Sequence, residues 1–439
     1  MGGSDDGSDA IKAIIFVGIL SALIKALGLF KESMIAYFFG VSAFVDFYVL
    51  ALVVVTFFVG PVGGALATLL TQKYIEILDS ISQAAANVVY AQCQIFGLFC
   101  MVVIIVLQIG ALQIPLIQHY VGNRFAGLEI SYLLLLFPVA LLSLLSVINA
   151  SVLTARKNFT AFTTLPALVP VSIIIALLMS PKEFLFVGLI VGTLFGYLIE
   201  FLVGLMCLRN ILPSITYRLI KIPHAGFVKI VGSMRPMFIS GVIMSGCLVV
   251  DQSMALLAGG GAVATINYGN RVTLGLISVI AIFWTVLYPN FVSMAVTANF
   301  AELRATLWRF AGLGLLGLLP LCGLIAFFSE DLIVLLFERG AFMQSDTIIV
   351  AKIQAVYLMH IPFYVLCMIC MRVANALENT RILLVGNALS LFLNIALNLL
   401  FIKYYGVIGI PIATLIAYGS MVIFWFFAAN WLITKADAA

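Results

Sequence analysis

Residues 23–47 read LIKALGLFKESMIAYFFGVSAFVDF. The stretch is the end of one long apolar helix and the start of another, with a small-residue turn around Gly40, and it carries Lys25, Lys31, Glu32 and Asp46. A cation near the middle of a bilayer costs roughly 2.5–3.5 kcal/mol on insertion scales, so a membrane helix that keeps several charges needs something for them to hold. Whether these are membrane helices is decided by what surrounds them. Of the 439 residues 64% are hydrophobic and only 9% are charged, where an ordinary soluble domain has about 25% charged residues. Mean hydropathy is +1.23. Apolar runs long enough to span a bilayer, about 20 residues each, follow one another almost end to end. This is the composition of an all-α, polytopic membrane protein with no soluble domain.

Twelve spans are predicted: 12–39, 45–71, 87–112, 128–153, 161–180, 184–208, 233–257, 270–296, 306–328, 347–376, 382–402 and 406–432. Residues 1–11 form an acidic, flexible N-terminal tail without the cationic start of a signal peptide, so the first span is expected to be retained. Lys and Arg concentrate in the connections that share a side with the N-terminus, among them Lys73, Arg156, Lys157, Arg218, Lys221 and Arg381. The opposite side holds Arg124, Lys182, Arg339 and Lys403. The positive-inside rule then puts both termini in the cytoplasm. That bias accounts for most of the basic residues behind a net charge of +4, which gives no indication of nucleic acid binding. All seven Cys residues lie in apolar runs, so no disulfide framework is expected. Cys367 and Cys370 have C-x-x-C spacing but read as small packing residues on one helix face.

The connection at 209–232, RNILPSITYRLIKIPHAGFVKIVG, divides the chain after six spans and reads as a cytoplasmic amphipathic segment. It separates an N-terminal bundle (12–208) from a C-terminal bundle (233–432), with 433–439 as a tail. The two halves look duplicated. FGVSAFVDFYVLALVVV and AGGGAVATINYGNRVTLGLISVI each place a small-residue turn before a polar and aromatic helix start. Each half later has a Pro-containing span (Pro138, Pro362) ending in a tight polar link, LTARKNF and NALENTR. Parallel halves of six are the pattern of a transporter that rocks about a central cavity.

These segments resemble a known family. LGLFKESMIAYFFGVSAFVDFYVLAL, INYGNRVTLGL, LFERGAFMQSDTIIVAKIQAVYLMHIPFYV and NALENTRILLVGNALSLFLNIALNLLFIKYYGVIGIPIATLIA are similar to the MviN/MurJ-type flippases of the MOP superfamily, the second half most closely. The resemblance implies a MATE-like V of two six-helix bundles. It implies alternating-access flipping of a polyprenyl-diphosphate-linked saccharide, either lipid II or a related cell-envelope or exopolysaccharide intermediate, across the bacterial cytoplasmic membrane. It also implies a monomer that breaks no bond and is not an enzyme. The peptidoglycan flippases usually have fourteen helices, and they carry further charges along the second helix where this chain has VLALVVVTFFVGPVGGALATLL.

A diphosphate crosses hydrocarbon only if cations replace its lost water, and lysine is a compact point charge suited to phosphate. Lys25 lies roughly 20 Å along the helix from Lys12, too deep to snorkel easily, so it should face water. The resemblance extends a headgroup-contact role to Lys25, Lys31, Asp46 and Arg271. The plainer readings are a structural ion pair for Lys25, a solvated Lys31–Glu32 pair, and a helix cap for Arg271. Glu200 and Arg372 are intramembrane and either line the cavity or pair with neighbours. The glycines of GGGAV at 259–263 either offer N–H groups to phosphate or, more simply, make a turn.

Asp251 sits deep in the seventh span, Asn394 and Asn398 are four apart on the eleventh, and Thr414 is in the twelfth. A buried carboxylate among amide and hydroxyl oxygens suits a hard monovalent cation, and in the family these positions match a sodium site. The alternative is polar packing between helices. A multidrug exporter of the same superfamily would want an apolar, acidic cavity, against which Lys25, Lys31 and Arg271 argue. A membrane enzyme would need clustered acids and His residues, and His119, His224 and His360 are scattered.

Overall fold

Backbone groups in hydrocarbon have no water to bond, so an apolar chain of this length must satisfy them within helices. In a computed structural model, residues 5–114, 130–209, 224–377 and 379–438 are described, and among them there is no strand. In chain order the helices are α1 (Asp5–Phe39), α2 (Ala43–Thr56), α3 (Gly64–Ser80), α4 (Gln83–Leu112), α5 (Ile130–Ala155), α6 (Phe159–Thr164), α7 (Leu168–Met179) and α8 (Leu185–Arg209). They continue with α9 (Ala225–Ala258), α10 (Ala262–Gly269), α11 (Arg271–Val296), α12 (Phe300–Phe327), α13 (Ser329–Phe337), α14 (Gln344–Ala376), α15 (Thr380–Tyr405) and α16 (Gly409–Asp437). By length and composition nine segments of the described residues can cross a bilayer, with Arg381–Asp437 counted once. The described parts of the twelve predicted spans are mainly helical, and those at 12–39 and 270–296 are not among the nine segments. Pro138, Pro236, Pro320 and Pro362 lie inside helices, as membrane helices tolerate. Pro61, which lacks an N–H, falls in a π-helical turn at Val59–Gly63 between α2 and α3.

Several boundaries differ from expectation: α12 begins at Phe300 rather than 306, and α16 runs to Asp437, through most of the expected 433–439 tail. Helix α1 takes in residues 5–11, expected as flexible tail. Helix α9 begins at Ala225 rather than 233, so the end of the supposed surface segment is the first turns of a long helix. The rest of that segment, 210–223, lies outside the described residues, as does His119.

The chain forms two compact units, residues 1–35 with 51–242 and residues 36–50 with 243–439. In the first, α3, α4, α5 and α8 pack around Leu66, Leu70, Leu136, Leu144 and Ile148, all fully buried. Gly188, Gly192 and Gly196 recur every four residues on α8 and let α7 approach closely. A Cβ at Gly192 would stand 2.6 Å from the Ala176 Cβ. Asn149 holds the polar interior together, its Oδ1 accepting from Tyr90 Oη and Gln94 Nε2, both at 2.6 Å.

In the second unit α14 is central, packed on α12 and α16, with α10 and α11 also against it. Ile361, Val365, Ile369 and Trp425 belong to its core. Residues 36–50 join this unit although they come from the first half of the chain. Tyr37 O accepts from Ala341 N at 2.8 Å, and Gly40 O accepts from Tyr268 Oη at 3.2 Å. Gly40 has φ +55°, and a Cβ there would lie 2.9 Å from the Ala341 carbonyl carbon, so the turn requires glycine.

Candidate functional site

Lys25 projects from α1 into a cavity of about 560 Å³ within the first unit, walled by α1, α3, α5, the α6–α7 region and α8. The residue is exposed, and among the described residues no ion pair reaches it. Hydroxyl side chains, among them Thr68, Thr71, Ser146, Ser151 and Thr154, share a largely apolar wall with Ile24, Val147, Leu165 and Pro166, and Glu200 lines the same space. The structure therefore puts an exposed ammonium, without an ion pair among the described residues, in a recess whose largely apolar wall carries several hydroxyls.

Lys31 is placed differently. Its Nζ lies 2.6 Å from Glu32 Oε1, and the side chains are 18% and 4% exposed. Glu32 is buried and Lys31 half-buried rather than solvated, so the charge of Lys31 already has a partner.

Asp46 also has its own work. Its side chain is 1% exposed; Oδ2 accepts from Gly261 N at 2.6 Å and Oδ1 from Ala264 N at 2.7 Å. The N–H groups at the start of α10 that a phosphate would take are held by this carboxylate. The glycine run is a turn, with Gly259 and Gly261 at φ +138° and +79°. Asp46 is thus a helix anchor, and the headgroup role expected for it gives way to that one. Hydrogen bonds to a charged group contribute about 1.5–3 kcal/mol each. Asp46→Asn, which turns an amide donor toward one of two backbone donors, should lower stability by about 3 kcal/mol. Thermal unfolding in detergent measures this, and an unchanged midpoint would refute the anchor.

Arg271 opens α11, half-buried, and its Nη2 donates to Asn267 Oδ1 at 2.8 Å. Arg372 stacks over Tyr288 with its guanidinium carbon 5.3 Å from the ring centre, so of the two intramembrane singletons it is Glu200 that lines the cavity.

In the second unit three of the four polar residues singled out in the sequence come together. Asn394 Nδ2 and Asn398 Nδ2 donate to Asp251 Oδ1 at 2.9 and 2.7 Å. The Oδ1 atoms of both asparagines are buried without a hydrogen-bond partner. Turning each amide about its last torsion would exchange nitrogen for oxygen and give a hard cation two amide oxygens beside a carboxylate. The donor set therefore fits sodium chemistry, and the orphaned acceptors are the feature a cation would relieve. Thr414 is satisfied elsewhere: its hydroxyl donates to Ile410 O at 3.1 Å, and no hydrogen bond joins it to Asp251 among the described residues. His224 and His360 make local contacts, the first from Gly226 N at 3.1 Å and the second with Tyr357 O. No group of three His, Cys, Asp or Glu among the described residues is arranged for a metal, and all seven cysteines are free.

Two apolar helical units, one with a cation in a hydroxyl-lined recess and the other with a buried carboxylate–amide cluster, define a multi-pass membrane transporter. The family described as lipid II flippase MurJ matches residues 35–437, and the chain belongs to it. A probable lipid II flippase MurJ of Synechocystis is 25% identical over 91% of this chain and 77% of its own length. One from Buchnera aphidicola of Schizaphis graminum is 22% identical over 93% and 80%. Among solved structures, lipid II flippase MurJ in an inward closed conformation aligns with TM-score 0.73 and 22% identity over 97% of this chain and 90% of that one. An inward-facing multidrug resistance MATE transporter of the MOP superfamily aligns with TM-score 0.79 and 16% identity over 96% and 99%. These structures share the fold.

Proposed function

We propose that this chain moves a polyprenyl-diphosphate-linked saccharide, lipid II or a closely related cell-envelope precursor, across the bacterial cytoplasmic membrane by alternating access. The observation that carries the reading is Lys25, a cation without an ion pair among the described residues, in a recess of the first unit. A charge so placed within an apolar bundle is expensive unless an anion visits it, and the family's named cargo has one. Lys25 binds the diphosphate as a point charge; Arg271 belongs to the second unit, and its headgroup contact is a separate proposal that rests on the resemblance alone. The hydroxyls around Lys25 replace water at the saccharide. Nothing is cleaved, so the protein is a transporter rather than an enzyme, with both termini in the cytoplasm. Asp251, Asn394 and Asn398 would hold sodium, whose charge compensates the carboxylate and whose binding favours one access state.

A multidrug exporter rests on likeness of fold, and an ammonium in the cavity repels the organic cations such an exporter carries. The two are separated by depleting the protein in cells. A polyprenyl-linked saccharide should accumulate on the cytoplasmic leaflet, identified by mass spectrometry of extracted lipids, while retention of cationic dyes stays unchanged. Normal precursor levels with raised dye retention would favour the exporter.

A further inference from the structure

Besides Lys25 and its apolar wall, the cavity presents several groups that can only accept hydrogen bonds. Thr68, Thr71 and Thr154 donate their hydroxyl protons to Gly64 O, Ala67 O and Ala150 O at 2.8–2.9 Å, and Ser151 donates to Ile148 O at 2.7 Å. A hydroxyl has one proton, so these groups offer only lone pairs to an occupant. Ser146 Oγ is buried there without a partner. Glu200, half-buried on α8, adds a carboxylate and makes no ion pair among the described residues, with Lys25 or otherwise. Phe162 contributes a ring that is 44% exposed. A matching ligand has an anion at one place, several O–H or N–H donors at others, and a C–H face for the ring. A sugar attached to a diphosphate has all three.

We infer that Glu200 is the saccharide-reading residue of this cavity, accepting hydrogen bonds from sugar hydroxyl or amide N–H groups of a headgroup whose diphosphate is held by Lys25. This rests on the cargo class proposed above and adds to it a division of labour: Lys25 takes the part common to all polyprenyl diphosphates, and Glu200 takes the part that tells one saccharide from none. The other possible role for Glu200 is to balance the charge of Lys25, with no bearing on the sugar.

The two roles separate in the ratio of affinities for two probes, a polyprenyl diphosphate and the same lipid bearing one N-acetylhexosamine, measured by native mass spectrometry on the purified full chain. Wild type should prefer the sugar-bearing lipid. Glu200→Ala should reduce that preference about tenfold, the effect of losing one charge-assisted contact, while binding the bare diphosphate as well as wild type or better. Glu200→Gln, which keeps the shape and one acceptor, should lose less of the preference, and it carries the test if the Ala variant does not fold. Lys25→Gln should weaken both lipids together and leave the ratio intact. A ratio unchanged in both Glu200 variants overturns the inference and leaves the cargo reading standing. Wild type that binds neither lipid, or Lys25→Gln that binds both normally, overturns the cargo reading itself.

Discussion

Lys25→Gln should slow flipping at least about 30-fold while the amount of protein in the membrane stays close to wild type. Removing one partner of a desolvated charge contact costs about 2–5 kcal/mol, and every 1.4 kcal/mol is tenfold. The lysine is exposed in its cavity and no ion pair reaches it among the described residues, so its loss should leave the bundle intact. That separates it from Asp46, whose replacement should act on stability. Lys25→Arg should recover part of the rate, since the charge returns with a different hydrogen-bonding geometry. Export at the wild-type rate by Lys25→Gln would remove the diphosphate from this site.

The second large effect is expected at Asp251. If sodium binds between this carboxylate and the two asparagines, exchanging potassium for sodium at equal ionic strength should raise the unfolding midpoint. A ligand at a hundred times its dissociation constant stabilises by about 2.7 kcal/mol. Asp251→Asn should abolish that dependence and lower flipping, because the carboxylate supplies the only formal charge in the trio. Asn398→Ala, which removes one orphaned oxygen, should weaken the dependence less. Equal midpoints in the two salts, together with normal flipping by Asp251→Asn, would reduce the cluster to interhelical packing.

The spans were legible because hydropathy is a local property and hydrocarbon leaves a chain little choice but helix. The Asp251 cluster was half legible. A carboxylate in an apolar run and two asparagines one turn apart are visible in sequence, whereas Thr414 was indistinguishable from a ligand because a helical threonine can satisfy itself on its own preceding turn. Asp46 misled for a different reason. Its partners are 215 and 218 residues away, and no local pattern announces that a carboxylate caps a helix from the other half of the chain. The same distance hides the fact that residues 36–50 belong with the second unit. Amphipathic character at 224–232 suggested a surface segment, but the first turns of a long helix emerging from a membrane have the same polarity. Glu200 could be read as lining a cavity or pairing with a neighbour, without a choice between them; only the fold shows that it shares a cavity with Lys25.

The most direct measurement is lipid movement in sealed vesicles containing only the purified protein. A polyprenyl-diphosphate saccharide with a labelled sugar is placed in one leaflet, and its arrival in the other is followed by an impermeant reagent that destroys the label. The account predicts that vesicles with wild-type protein expose the label far faster than protein-free vesicles and that Lys25→Gln vesicles lose most of that gain. Wild-type vesicles no faster than protein-free ones, under either direction of a sodium gradient, would contradict it.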